Sequence, residues 1–505
     1  MAKYKPYDYS QTVLLPVSLT DQLMPGTLEF AINTLVEERL DLSQFDKRYN
    51  NDETGRSAYD PKILLKVILL AYSRGVVHSR KIEKACKENV IFMALTCGQQ
   101  PDHSTLAAFV SSMKEEIQGL FSSVLLVCEE LGLLGGSEFA LDGLQLPSNA
   151  SMRWSGKMVD LQKKKEKIES LVGQLLEKHI EQDQKETLGE SAKERRQRHI
   201  ERLQKKAAVI EKFLQDNEPK QGRQYKELRS NVTDNESATL RSSHGVIQGY
   251  NAQALVDAKH QVIVHGEAYG HGQDYLHAEP VLDGAKERLQ SMGKPADYFK
   301  GAILTADTGY HSNASIRKCE EEEIDAYIPD RNYRTRDPRF SSRDEERKTR
   351  RKKFLLEDFT YDEKADQWEC PNGKRLRLKC RSVRQNNTLY RQYRAEAGDC
   401  LGCQVWGTCI RNRMKNIKAK TLNVPIGAAG RNYSREMAAK IDSERGRQIY
   451  PRRIGIVEPV FGNIRIQKRL DRFTLRGKLK VNIQWLLYCM VHNIEKIANF
   501  GYAPA

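Results

Sequence analysis

An α/β fold is predicted by three observations in this 505-residue chain. The first 130 or so residues carry helical apolar periodicity. The middle carries apolar runs of strand length, and beyond residue 275 strand and helix patterns alternate. A chain of this length divides into two to four structural units.

Residues 1–132 read as an all-α domain. Asp60 is a helix N-cap with Pro61 at the first helical position, opening the run Lys62–Tyr72 that Gly75 closes. Further amphipathic runs cover Thr27–Leu40, Ser79–Leu95 and Ser104–Leu131. Such a domain suits recognition of DNA ends, and it suits dimerisation or plain packing equally well.

Strand signals begin at Glu138–Asp142, within a segment 137–156, and resume over 230–330. The second segment holds strands Val246–Val256 and Gln261–His265, helix Tyr275–Met292, strand Ala302–Ala306, helix Ser312–Glu323 and strand Asp325–Ile328. Antiparallel strands followed by alternating helix and strand is the order of a ribonuclease-H-like catalytic core. Residues 157–229 interrupt it with a Lys/Glu/Gln-rich stretch. Leu161, Ile168, Val172 and Leu175 form one apolar seam, and Ile200, Leu203, Ala207, Ile210 and Leu214 another with coiled-coil spacing. Thr187-Leu188-Gly189 breaks the pattern and Ser191 to Glu194 has the form of a capping box, so two antiparallel helices in a hairpin are expected. A basic, cysteine-bearing insertion fills 331–425. A helical C-terminal part of the core, 426–505, ends in the apolar run Ile483–Val491.

The net charge of +15 is concentrated. Arg331–Lys353 carries +7 and Arg445–Lys480 +9, leaving the rest of the chain at −1. Two basic clusters beside candidate site elements point to double-stranded DNA, against the plainer reading of charge for solubility. No stretch approaches the ~20 apolar residues of a membrane span, and Met1 to Pro6 is not followed by the apolar run of a signal peptide. A cytoplasmic protein associated with the nucleoid is expected, its ten cysteines thiols or metal ligands rather than disulfides.

Three carboxylates carry the chemistry. Asp142 ends Phe139-Ala140-Leu141-Asp142-Gly143 and Asp307 ends Ile303-Leu304-Thr305-Ala306-Asp307; both read as buried strands closing on turns. Glu458 lies in a basic, helix-like segment, Arg453 to Gly462. Singly, an Asp at a strand end caps a turn and Glu458-Pro459 marks a helix start. Together they are the oxygen ligands of a two-metal phosphoryl-transfer site holding Mg2+ or Mn2+.

The segment Tyr450-Pro451-Arg452-Arg453, then Glu458, then Arg465, resembles the last catalytic motif, Y-x-x-R-x-x-x-E-x6-K, of one branch of the DDE transposases of bacterial insertion sequences. One extra residue separates Arg453 from Glu458, and arginine replaces the lysine. Arg56, Asp60-Pro61, Leu64-Leu65, Ser79-Arg80 and Asp102 to Thr105 resemble the family's N-terminal domain. Thr233-Asp234, Gly249 to Gln253, Val256-Asp257 and Asp307 to Tyr310 resemble its core strands. The resemblance implies that Asp142, Asp307 and Glu458 bind the metals and that Tyr450, Arg453 and Arg465 hold backbone phosphates. It further implies a homodimer or larger assembly on DNA, cleaving transposon ends and joining them to target. A nuclease of the same fold, a DNA-binding regulator and an inactive relic are the alternatives. Lys468 and Arg469 extend the basic cluster and are expected to contact DNA.

In the insertion, Cys370 followed by Pro371-Asn372-Gly373 looks like a zinc knuckle, and Cys400-Leu401-Gly402-Cys403 is a C-x-x-C pair. Cys370, Cys400, Cys403 and Cys409 suffice for a structural Zn2+ site with Cys380 spare, or are free thiols in a metal-free subdomain. His103, at a helix start, reads as a packing or capping residue.

Overall fold

The computed structural model describes residues 18–48, 57–183, 190–222, 226–242, 245–343, 354, 356–385, 388–410, 417–425 and 433–501. Arg56, Thr187 to Gly189 and residues 344–353 of the first basic cluster lie outside them. The chain divides into two compact units, Met1–Ile328 with Gln448–Ala505, and Pro329–Arg447.

The first unit opens with helices α1 (Leu28–Thr34), α2 (Pro61–Ser73), α3 (Ser79–Glu88), α4 (Val90–Leu95), α5 (His103–Ser112) and α6 (Glu116–Glu130). Asp60 caps α2 through the Lys62 amide at 2.8 Å, and Gly75 ends it with a positive φ of 69°. The amphipathic runs Ser79–Leu95 and Ser104–Leu131 each hold two helices. The Asn89 side chain accepts from the amides of Ile91 and Phe92 and so starts α4 afresh, and a turn at 113–115 separates α5 from α6.

The core strands are β1 (Glu138–Pro147), β4 (Ala238–Ser242), β5 (Gly245–Asp257), β6 (Ile263–Tyr269), β7 (Ile303–Ala306) and β8 (Asp325–Tyr327), following short β2 (Ser155–Gly156) and β3 (Ser230–Asn231) in the numbering. The sheet runs β4-β5-β1-β7-β8, with β6 also on β5. β1 is antiparallel to β5 and parallel to β7, and β7 is parallel to β8. This mixed sheet with a helical N-terminal region is consistent with a ribonuclease-H-like core. One expectation is corrected: β1 does not close at Asp142-Gly143. It continues to Pro147 because β5 supplies partners all the way, from Asp142 opposite Ala254 to Pro147 opposite Gly249.

Between β1 and β4, helices α7 (Met158–Asp183) and α8 (Glu190–Asp216) form the hairpin. Leu161 packs with Ile210 and Phe213, and Val172 with Ile200 and Leu203. Its feet are joined by the β2–β3 pair, Ser155 opposite Asn231. Helices α9 (Ala278–Ser291) and α10 (Asn313–Glu321) flank β7 in sequence.

The second unit holds α11 (Tyr333–Arg336), strands β9 (Thr360–Asp362), β10 (Gln367–Glu369), β11 (Arg375–Gln385), β12 (Thr388–Ala395) and β13 (Thr421–Pro425), short helices α12 (Ala397–Cys400) and α13 (Trp406–Cys409), and α14 (Tyr433–Asp442). The strands form one antiparallel sheet in the order β13-β12-β11-β10-β9. After α15 (Glu444–Ile449), the chain completes the first unit with α16 (Arg452–Gly462) and α17 (Lys478–Lys496).

Helix α17 covers the free edge of β6. The Asn482 amide exchanges hydrogen bonds with the Ala268 backbone, at 2.7 and 3.0 Å, and Asn493 does the same with Ile263, at 2.8 Å each way. Side chains thereby satisfy backbone groups that an unpaired strand would leave open. Trp485 of the same helix donates to the Gln253 carbonyl at 3.1 Å, tying it to β5 behind the site.

Candidate active site

Asp142 and Asp307 are brought together by the parallel pairing of β1 and β7. Leu141 is registered with Ala306, so the two aspartates stand on the next rung of adjacent strands, where chains lie about 4.8 Å apart. Asp307 is past the end of β7, and its carboxylate accepts from the Gly309 amide at 2.6 Å, starting the turn Thr308–Tyr310. Burial pushes the Asp142 ionisation up to about 6. Arg453 and the Gly143 amide pull it down, and the Asp307 charge adds to the rise.

Helix α16 carries the third element. Its Arg453 reaches Asp142, Nη1 to Oδ2 at 2.6 Å, with both side chains mostly buried. Tyr450 lies near Arg453. The Arg453 Nε is buried and makes no hydrogen bond. Glu458 is exposed on the same helix, and Ile454, one turn before it, is 52 % exposed. Pro459 sits inside α16 and has no N–H for the Gly455 carbonyl. The Gln261 side-chain amide takes that place, donating to Gly455 O at 3.0 Å.

Beside the two aspartates lies a network that sequence reasoning missed. Asp274 Oδ1 accepts from Asn251 at 2.7 Å and from Gln253 at 3.2 Å, and the Tyr310 hydroxyl donates to Gln253 Oε1. A methyl group on Gly309 would lie 2.7 Å from Asp274 Oδ2 and 2.8 Å from Asp307 Oδ1, so Asp274 borders the second aspartate. A methyl on Gly143 would lie 2.1 Å from the Gln253 amide, which leaves glycine as the residue that fits after Asp142. Asp274 follows no local pattern; the one available signal was its place among polar Asn251, Gln253 and Tyr310.

Arg465, two turns beyond Glu458, lines a cleft of about 400 Å³ with Gly143, Gln145, Asp274 and Arg241. Arg241, on β4, is a second cation of this cleft that the sequence did not single out. The other expected DNA contacts separate. Arg469 is exposed, whereas Lys468 is fully buried and paired with Glu495 at 2.5 Å. That corrects its assignment to the basic surface. Arg472 and Arg476 hold the carbonyls of Ser148 and Asn149. In the second unit, Arg336 pairs with Asp330 and Asp442, and Arg339 with Asp337. His103 bonds Glu83 through its ring at 2.8 Å while Asp102 caps α5.

The structure therefore gathers Asp142, Asp307 and Arg453 and leaves Glu458 out on its helix. Among the described residues, no three His, Cys, Asp or Glu side chains are arranged as they stand to hold one ion. The donor set at Asp142 and Asp307 nonetheless fits a hard divalent cation. It is all oxygen, burial and to a lesser extent the Asp307 charge raise the Asp142 ionisation, and Arg453 is the cation that answers them.

Residues 17–112 match the family model described as a transposase domain (DUF772), and residues 369–498 match the transposase DDE domain. These matches support assignment to the transposases. The second match takes in Glu458 and the cysteines Cys370 to Cys409, but neither Asp142 nor Asp307. Comparison with curated proteins finds no match. Among the described residues, no helix of this transposase-like chain is long and apolar enough to cross a membrane.

Proposed function

We propose that this protein is a DDE-type DNA transposase with a ribonuclease-H-like core, which cleaves transposon ends and joins them to target DNA. The observation that carries the reading is the pair Asp142 and Asp307, abreast on parallel strands beneath the helix that bears Arg453 and Glu458. In the first reaction the oxygen of water attacks a phosphodiester at each transposon end. The P–O3′ bond breaks, leaving a 3′-hydroxyl and a 5′-phosphate. In the second, that 3′-hydroxyl attacks a target phosphodiester, forming one P–O bond as another breaks.

Asp142, Asp307 and Glu458 are the residues that would hold the divalent cations, two Mg2+ or Mn2+ in the full site. Such cations acidify the attacking oxygen and stabilise the charge on the leaving one. The protein's own groups position DNA. Arg465 and Arg241 face the cleft beside β1, where arginine grips phosphate bidentately. Tyr450, Arg453 and Arg469 extend that grip along the backbone. Glu458, exposed on α16, is the third carboxylate this reading requires. The protein acts as a homodimer or larger assembly on DNA, on the nucleoid in the cytoplasm.

The test is a strand-transfer assay on linear DNA carrying the native ends, with Mg2+ or Mn2+. Joined products support the transposase. Nicks alone indicate a nuclease of the same fold, and a shifted but uncut band indicates a DNA-binding regulator or a relic.

A further inference from the structure

We propose that Cys370, Cys400, Cys403 and Cys409 form a structural site for one Zn2+ within the second unit. All four line one small cavity, about 20 Å³ in volume, with Lys374 and Lys420 in its wall. That volume holds a single atom-sized occupant and little more. The turn Cys370 to Gly373 is closed by a 2.8 Å bond from the Gly373 amide to the Cys370 carbonyl, with Gly373 at φ 70°. A matching turn brings the Cys403 amide to the Cys400 carbonyl at 3.2 Å, and α13 delivers Cys409 one step later.

The surroundings of the sulfurs suit thiolates. The backbone amide of Lys374 donates to Cys370 Sγ at 3.3 Å and that of Lys420 to Cys400 Sγ at 3.4 Å. The Asn372 side-chain amide reaches Cys403 Sγ at 3.5 Å, joining the first turn to the second. Such N–H donors orient and tune thiolate ligands from outside the shell. Cys380, the fifth cysteine of the unit, lies apart on β11 and donates to the Ser382 carbonyl.

An ion here would also brace the core beside it. The apolar cluster beside the cysteines has five buried residues among those described, Phe359, Leu376, Tyr393, Ala395 and Leu422, and Cys370, Cys400 and Cys409 pack against it with other partly buried apolar side chains. Zinc binding energy at such a site becomes local folding energy. Closing the shell takes side-chain rotation of the four cysteines, with the backbone turns already in place.

Elemental analysis of the full-length protein, purified with zinc present, is expected to give one zinc per chain. Cys403→Ser and Cys409→Ser should each lose it, and Cys380→Ser should keep it. In the unmodified protein, four thiols should resist a thiol reagent until a chelator is added. Substitution by Co2+ should give the intense absorption of a tetrahedral thiolate site. Absence of zinc with all four thiols freely reactive in the native protein overturns the site. So does retention of zinc by Cys403→Ser and Cys409→Ser, or its loss on Cys380→Ser.

Discussion

Arg453 Nη1 lies 2.6 Å from Asp142 Oδ2, so a residue expected to grip a DNA phosphate is here the counter-ion of the first aspartate. A cation at Asp142 must share that carboxylate with the guanidinium. A phosphate arriving beside α16 offers the guanidinium a second anion. With Arg453→Gln, DNA-free protein at pH 8 is expected to bind Mn2+ more tightly, read by electron paramagnetic resonance, while DNA cleavage falls. Weaker Mn2+ binding in that variant would show that the arginine helps to assemble the cation site instead of competing with it.

The carboxylates themselves give a second expectation. Asp142→Asn, Asp307→Asn and Glu458→Gln each remove a ligand charge with little change of volume. Each should lower cleavage by more than the roughly 100-fold that loss of an outer partner of a metal ligand costs. DNA affinity and the thermal unfolding midpoint should change little. Near-normal cleavage by Glu458→Gln would leave the site to the two aspartates.

Salt dependence separates surface charge from buried charge. The logarithm of DNA affinity should fall with that of salt concentration, with a slope of about −0.9 per phosphate contact. Arg465→Ala, Arg469→Ala and Arg241→Ala should each make the slope shallower by about one. Lys468→Met should leave it unchanged and instead destabilise the fold by about 3 kcal/mol, since Glu495 loses its buried partner. An altered slope in Lys468→Met would return that lysine to the DNA surface.

Acid should loosen the first unit through two buried histidines. Burial presses His265 and His492 down to about 3, from an ordinary value near 6.5. Between those values the unfolded chain binds protons that the folded chain refuses. Stability is therefore full above pH 6.5 and is lost as pH falls through the window, by about one proton per histidine. Urea midpoints measured from pH 7.5 to 5 should fall, and His492→Gln should show a shallower fall. Parallel curves would mean that His492 is not neutral in the fold.

What was legible in the sequence was local. The Asp60-Pro61 start, the Gly75 stop and the seam of the hairpin announce themselves within a few residues, and so does the Asp307 turn. What was missed depends on partners distant in the chain. β1 runs on past Asp142 because β5 lies beside it. Asp274 matters because the sheet carries Asn251 and Gln253 to it. Lys468 reads as one more surface charge until Glu495 of α17 closes over it. The sheet of the second unit did leave a trace, the alternation Arg375-Leu376-Arg377-Leu378, whose inward Leu376 is fully buried.

Pro459 interrupts the ladder of α16 directly after Glu458, and Gln261, held at φ 60° in the connection between β5 and β6, supplies the missing donor to Gly455. The helix is thus stitched to the sheet at the point where it cannot stitch to itself. Positions 261 and 459 form one compensated pair, and descendants of this sequence are expected to exchange them jointly. A non-proline at 459 restores the helix's own rung and leaves Gln261 its other side-chain bond, Oε1 accepting from Lys496 at 3.0 Å. A proline there without a donor at 261 leaves the exposed Gly455 carbonyl, one turn before Glu458, to water.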